Sequence, residues 1–188
     1  MINYINRRWI LLRKVILYIA MSLDGYIADE NGGVEWIEGD GSCADSDGSY
    51  SDFINTVDTV IMGYKTYRQI ICELSPDKWV YNGLTTYVMT YRTLNNRDNI
   101  VFTNESMEKL ISGLRNRQGG NIWICGGASI ANQFIELELI DMICINMIPV
   151  LLGRGIRLFK RRIKKYDLKL ISLKSYNGIT DLMYEIKK

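Results

Sequence analysis

Runs of consecutive apolar residues alternate with helically spaced segments along most of the chain. Val15 to Ala20 (VILYIA) is apolar throughout and rich in β-branched side chains, the pattern of a strand buried on both faces. Residues 21–48 follow, rich in Gly, Asp and Ser, and long for a connection within a domain. Such stretches are usually functional or disordered. The pattern then predicts a short helix over Tyr50 to Val57, a strand over Thr59 to Met62 and, after Gly63, a helix from Lys65 to Cys72. Thr86 to Thr90 (TYVMT) and Asn99 to Thr103 (NIVFT) read as strands, and Met107 to Arg117 has helical spacing. Ile122 to Phe134 (IWICGGASIANQF) is an apolar strand that stops on two glycines and turns at once into a helix. Asp141 to Val150 is a further strand, closed by Pro149 and LLGRG. Asp167 to Lys174 and Thr180 to Ile186 alternate apolar and polar residues around Asn177-Gly178, a strong hairpin signal.

This order predicts an α/β fold of three layers, α-β-α, around a mixed sheet. The sheet is expected to be mostly parallel, to carry helices on both faces and to end in an antiparallel C-terminal hairpin. A ligand is expected beyond the carboxyl ends of the parallel strands.

Composition narrows the function. At 188 residues, one domain is expected, over residues 14–188, behind a basic and apolar N-terminal extension, residues 1–13. A net charge of +2 gives no hint of a nucleic-acid partner, and no apolar run reaches the length needed to cross a membrane. The four cysteines have no C-x-x-C spacing, and Cys125 and Cys144 lie in apolar runs, as reduced core thiols of a cytoplasmic protein do. The sequence has no histidine, which removes Ser-His-Asp and Cys-His triads and imidazole metal sites. Any proton transfer falls to Asp, Glu, Tyr, Lys, Cys or water.

No G-x-G-x-x-G follows a strand, and no G-x-x-x-x-G-K-[ST] occurs. Asp45 to Gly48 resembles a calcium loop only out of register, with Cys43 and Ile54 at ligand positions. Two strand-glycine-helix junctions remain, Gly126-Gly127 with Ser129, and Met62-Gly63-Tyr64-Lys65-Thr66-Tyr67. Each would offer backbone N–H groups and the positive end of a helix dipole on one sheet edge. Singly, each is also what an ordinary turn looks like. Together they suit a ligand with two separated phosphate groups, and Arg92 after TYVMT would add charge.

These pieces resemble the dihydrofolate-reductase-like superfamily, and more closely its branch related to the reductase domain of bacterial riboflavin biosynthesis. The matching stretches run in order: VILYIAMSLDGYIADENGGVEWI, VDTVIMGYKTY, TYVMTYR, NIWICGGASIANQF and DMICINMIPVLLGRGIRLF. The resemblance implies an NADPH-dependent oxidoreductase that transfers hydride to a C=N or C=O bond of a small flat heterocycle, pterin-like or an aminopyrimidine. It also implies a homodimer. Ala20 and Ile27 would line the nicotinamide. Gly63, Tyr64, Lys65 and Thr66 would hold the adenosine side and its 2′-phosphate, and Thr90, Tyr91 and Arg92 would flank the adenine. Cys125, Gly126, Gly127, Ala128, Ser129 and Ile130 would wrap the pyrophosphate.

Relatives usually carry Arg where this chain has Tyr64, and Lys65 or Arg92 offers the compensating charge. The folate reductases place an acid early in the first helix; spacing from Phe53 puts that position nearest Ser49, with Asp47 and Asp52 close but out of register. Asp47 and Asp52 are the candidate proton donors, although Asp52 also reads as an exposed helix residue. Phe53 and Asn146 are the substrate-pocket candidates. Arg154 and Arg157 would meet a phosphoribosyl group, or serve as surface charges. The riboflavin-pathway reductase is favoured over dihydrofolate reductase activity, and the deaminase half of the bifunctional enzyme is missing, since neither H-x-E nor P-C-x-x-C occurs. The rival reading is a non-catalytic NADP-binding protein.

Overall fold

The computed structural model describes residues 13–42, 48–161 and 163–187. The extension up to residue 12 and the candidate Asp47 lie outside the described residues. An eight-stranded sheet runs β5-β4-β3-β6-β1-β7-β10-β9. Its strands are β1 (Val15–Ser22), β3 (Val57–Gly63), β4 (Thr85–Met89), β5 (Ile100–Thr103), β6 (Asn121–Gly126), β7 (Met142–Ile148), β9 (Leu168–Tyr176) and β10 (Ile179–Ile186). From β5 across to β7 all neighbours are parallel, and β10 pairs antiparallel with both β7 and β9.

Helices cover both faces, as the alternation of elements requires, so the expected three-layer α-β-α architecture is the observed one. α3 (Met107–Arg115) and α4 (Ala128–Glu136) pack on one face, where Leu110, Ile111, Ala131 and Phe134 meet Val15, Leu17, Ile61, Ile122 and Ile124. α1 (Tyr50–Ile54) and α2 (Tyr64–Gln69) lie on the other, where Phe53 and Tyr67 meet Ile16, Tyr18, Val60 and Trp123. Successive residues of β1 and β6 therefore enter opposite cores, which is why both strands read as unbroken apolar runs.

Local chemistry sets the element ends. Ser106 caps α3 by accepting the Lys109 N–H at 3.3 Å. Asn177 (φ 46°) and Gly178 (φ 71°) both take the positive φ of a two-residue hairpin turn between β9 and β10. The helix expected over Tyr50 to Val57 is shorter. Thr56 turns the chain by donating its hydroxyl to the Phe53 carbonyl at 2.8 Å, and Val57 already belongs to β3. The helix expected over Lys65 to Cys72 begins at Tyr64 and passes at Ile70–Leu74 into a π-helical turn.

Arg13, assigned on sequence to the extension, is an anchor of the domain. It is 5% exposed, pairs with Asp58, and donates to the Gly120 carbonyl at 2.7 Å and to the Thr59 hydroxyl at 2.7 Å. One feature the pattern did not show is a small antiparallel pair, β2 (Tyr26–Ala28) with β8 (Ile156–Arg157). It stitches the loop after β1 to the loop after β7.

Candidate functional site

The two strand-glycine-helix junctions meet at one rim of the sheet. β3 and β6 are neighbours, with Met62 paired to Gly126. A Cβ built on Gly63 would stand 3.0 Å from Ile130 Cγ1, and one built on Gly127 would stand 3.3 Å from Thr66 Oγ1. Gly126 has φ +121°, which an L side chain rarely adopts, and the Gly126-Gly127 peptide is cis. Gly127 is the N-cap of α4 and Gly63 that of α2, and neither helix start receives a side-chain cap. The first N–H groups of α4, from Ala128, Ser129 and Ile130, are thus left for an anion, with the helix dipole behind them.

Beyond this rim, the Arg92 guanidinium lies 4.8 Å over the Tyr64 ring. Thr90 Oγ1 accepts the Arg92 N–H at 3.1 Å and so fixes the turn that carries it. Lys65 is exposed beside Tyr64. A cavity of about 410 Å³ opens here, lined by Tyr64, Tyr67, Thr93, Asn95 and Arg97 among others. Arg97 was not among the sequence candidates. Tyr91, expected to flank an adenine, is 96% exposed and turned to solvent.

Cys125 shares the α1/α2 face with Tyr18. Its sulfur is 3.5 Å from the Tyr81 hydroxyl, and burial pushes its thiol up to about 11. The same burial pushes Tyr81 far above the ordinary phenol range.

On the other side of the rim, Ala20, Asn146 and Asp181 stand in one row across β1, β7 and β10. Asn146 is buried and donates to the Tyr18 hydroxyl at 3.1 Å and to the Asp181 carboxylate. The Tyr18 hydroxyl is 3.1 Å from Ser49 Oγ, at the start of α1, and Tyr176 donates to Asp181 at 3.2 Å. Phe53 stacks on the Tyr18 ring with centroids 4.1 Å apart, and Trp123 stands edge-on to both rings. Burial, with the Asp181 charge adding to it, lifts Tyr18 to about 12 and Cys144 to about 12. Tyr176 is raised for the same two reasons.

Sequence reasoning missed Tyr18, Tyr176 and Asp181. A signal existed for Asp181, which shares the parity of the inward-facing Met183 along β10, where an apolar residue is expected.

Asp52 needs correction as a proton donor. Its carboxylate is on the solvent side of α1, bound at 2.9 Å by Lys174 of the edge strand β9. Arg154 is ion-paired with Glu30 at 3.1 Å, and Arg157 stacks 4.6 Å from the Tyr26 ring. Both are accounted for as surface charges. Ile27, adjoining the first core, sits in β2 close to the signature loops.

Those loops explain two sequence motifs at once. The Asp24 carboxylate of SLDGYIA accepts the Ser22 hydroxyl at 2.6 Å and the backbone N–H groups of Leu152 at 3.1 Å and Gly153 at 2.7 Å. The Leu152 and Gly153 donors belong to the LLGRG turn. The Ser22 hydrogen bond, with the backbone donors, holds the Asp24 carboxyl below the usual carboxylate range. Gly155 allows the approach, because a Cβ there would lie 2.2 Å from the Ala28 carbonyl oxygen.

Comparison with known proteins agrees with this architecture. The family model described as the RibD C-terminal domain matches residues 13–184. The chain is 39% identical over 176 residues to the uncharacterized protein YwjB of Bacillus subtilis (strain 168), covering 92% of this chain and 97% of that one. It is 32% identical over 183 residues to the uncharacterized protein YyaP of the same organism, covering 92% and 94%. Among solved structures, a protein of Shewanella sp. PV-4 provisionally named for riboflavin biosynthesis superposes with a TM-score of 0.79 at 27% identity, covering 93% of this chain and 99% of that one. Enterococcus faecalis dihydrofolate reductase, solved with NADP(H), gives a TM-score of 0.68 at 15% identity, covering 93% and 97%, and shows the shared fold. The chain belongs to the RibD C-terminal domain family and shares the fold of dihydrofolate reductase.

Proposed function

Starting from membership of the RibD C-terminal domain family, we propose that this protein is an NADPH-dependent reductase of a small flat heterocycle, an aminopyrimidine or pterin, of the riboflavin-pathway reductase type. The observation that carries the reading is the joined rim, where Gly63 and Gly126-Gly127 bring two uncapped helix starts together beside the row that contains Ala20. The residues present fit a dinucleotide phosphate. Backbone N–H groups of Ala128, Ser129 and Ile130 would hold the pyrophosphate, and Arg97 of the cavity lining, Arg92 over the Tyr64 ring or the exposed Lys65 would meet a 2′-phosphate. When bound, NADPH supplies a hydride from its nicotinamide.

The chain's own part is positional. Ala20 is small enough to leave room beside the rim, the Phe53–Tyr18 stack offers a flat apolar wall, and Asn146 with Asp181 supplies fixed polarity. Excluding water from this wall strengthens each polar contact made there. The substrate proton would come from water or from Asp47, since Asp52 is held on the solvent side by Lys174.

Homodimer formation belongs to the same proposal. Strand β9 is the sheet edge and leaves Leu168, Leu170, Ile171 and Leu173 exposed, a surface suited to a second copy. No helix among the described residues is long and apolar enough to cross a membrane, and Cys72, Cys125 and Cys144 are free thiols, in keeping with the cytoplasmic setting proposed.

The test is oxidation of NADPH, followed by its absorbance, with dihydrofolate, pterins and the aminouracil phosphate offered in turn. Turnover of the aminouracil phosphate supports the riboflavin-type reading, and turnover of dihydrofolate the folate alternative. The outward position of Asp52 favours one other reading, a non-catalytic NADP-binding protein. Tight NADPH binding without turnover of any substrate would establish it.

A further inference from the structure

The Asp181 carboxylate lies 4% exposed, and its two oxygens differ. Oδ1 takes hydrogen bonds from Asn146 Nδ2 and from the Tyr176 hydroxyl. Oδ2 is shut off from solvent and has no donor among the described residues. Asn146 spends one amide hydrogen on Asp181 Oδ1 and the other on the Tyr18 hydroxyl, which lies 3.1 Å from Ser49 Oγ. A carboxylate oxygen shut off from water and from the donors of the described residues is costly, and a ligand N–H would relieve that cost.

The surroundings say what kind of ligand. Asp181 stands in the row that runs from Lys174 through Asn146 to Ala20, and the Tyr18 ring beside it is stacked under Phe53 and flanked by Trp123. Flat aromatic walls beside an acceptor with free lone pairs suit a planar nitrogen heterocycle presenting an N–H or amino edge. We infer that Asp181 is the specificity-determining residue of the substrate pocket, accepting the amino edge of an aminopyrimidine ring through Oδ2. The Gly48–Ser49 turn packs on Tyr176, where a Cβ on Gly48 would lie 2.2 Å from Tyr176 Cζ, and the ligand edge reaches Oδ2 by displacing that turn. This assignment rests on the proposed reductase reading for its substrate class.

Substitution Asp181→Asn has a directional consequence. Asn146 and Tyr176 both donate toward Oδ1, so the new amide must keep its oxygen there and turn its NH2 to the Oδ2 position. An acceptor becomes a donor. The experiment measures binding of 2,4-diaminopyrimidine, and of 2,4-dimethoxypyrimidine as a ring without N–H groups, by quenching of tryptophan fluorescence. Both are measured without cofactor, and NADPH affinity is measured separately.

The unaltered protein is expected to prefer the diamino probe by roughly tenfold or more, and D181N to lose that preference while its NADPH affinity stays within about twofold. A merely structural role would weaken both probes alike. The assignment is overturned if the unaltered protein shows no preference, a result independent of how the variant folds, or if D181N keeps the preference. Absence of NADPH binding with an intact diamino preference would instead sink the reductase reading and leave the Asp181 assignment standing.

Discussion

Replacing Gly126 with Ala separates the conformational demand of the rim from its use. Gly126 has φ +121°, and a Cβ there meets only Ile19 Cδ1, at 3.4 Å, an ordinary contact. The cost is therefore backbone strain and not collision, about 1–3 kcal/mol for an L residue in that region. For a domain of this size each 1 kcal/mol moves Tm by roughly 2–4 °C, so G126A is expected to melt about 2–12 °C lower. The internal control is Gly113 in α3, where a Cβ meets nothing within 4 Å and φ is ordinary for a helix. G113A should be more stable by about 0.5–1 kcal/mol.

The assay is thermal unfolding of the three proteins with and without NADPH. At a hundred times its Kd, a ligand that binds only the folded state adds roughly 2.7 kcal/mol, a readily seen rise in Tm. That rise should persist in G113A and shrink in G126A, whose strained backbone belongs to the junction proposed to hold the pyrophosphate. If G126A melts with the unaltered protein, the strain argument is wrong. If it keeps the full NADPH-dependent rise, the pyrophosphate does not lie there.

Other outcomes follow from named contacts. D24N should lower Tm near neutral pH, because Asp24 ties SLDGYIA to the LLGRG turn. The folded-state pKa of Asp24 is depressed, so its contribution is present above the unfolded value of about 3.9 and is lost as pH falls through the folded one. The Tm gap between the two proteins should therefore close in acid, and a gap unchanged down to acid pH would refute the linkage. R92A should weaken NADPH by roughly tenfold and NADH much less, if the guanidinium over Tyr64 meets the 2′-phosphate; equal losses in titrations of the two cofactors would refute that role. D52N should leave kcat and KM within about twofold and stability within about 1 kcal/mol, since only an exposed pair with Lys174 is broken, and a large fall in kcat would restore Asp52 as the donor.

The glycine rim was legible in the sequence for a local reason. A strand that stops on Gly126-Gly127 and restarts as a helix announces both the φ that glycine permits and the uncapped N–H groups that follow, all within a few residues. The parallel sheet was legible likewise, because β1, β3 and β6 are apolar at both parities and must be covered on both faces. Errors fell at element ends, where one hydrogen bond decides. The Thr56 hydroxyl ends α1 early, and Arg13 is drawn into the domain by Asp58 and the Gly120 carbonyl.

The side proposed for the substrate depends on pairings between residues far apart in the chain, and no local pattern carries those. Asn146 and Asp181 meet only because β10 returns antiparallel beside β7 in one particular register, and a shift of one residue would turn Asp181 to the opposite face. Folding thus has to bury a carboxylate, and the molecule accepts this only with Asn146 and Tyr176 donating to one oxygen. An apolar residue at position 181 would have packed against Met183 and Cys144 at no such cost. The retained acid, with one oxygen lacking a donor among the described residues, is therefore better explained by the proposed recognition than by stability, and it stands where the sheet register puts it, one strand beyond Asn146 from Ala20.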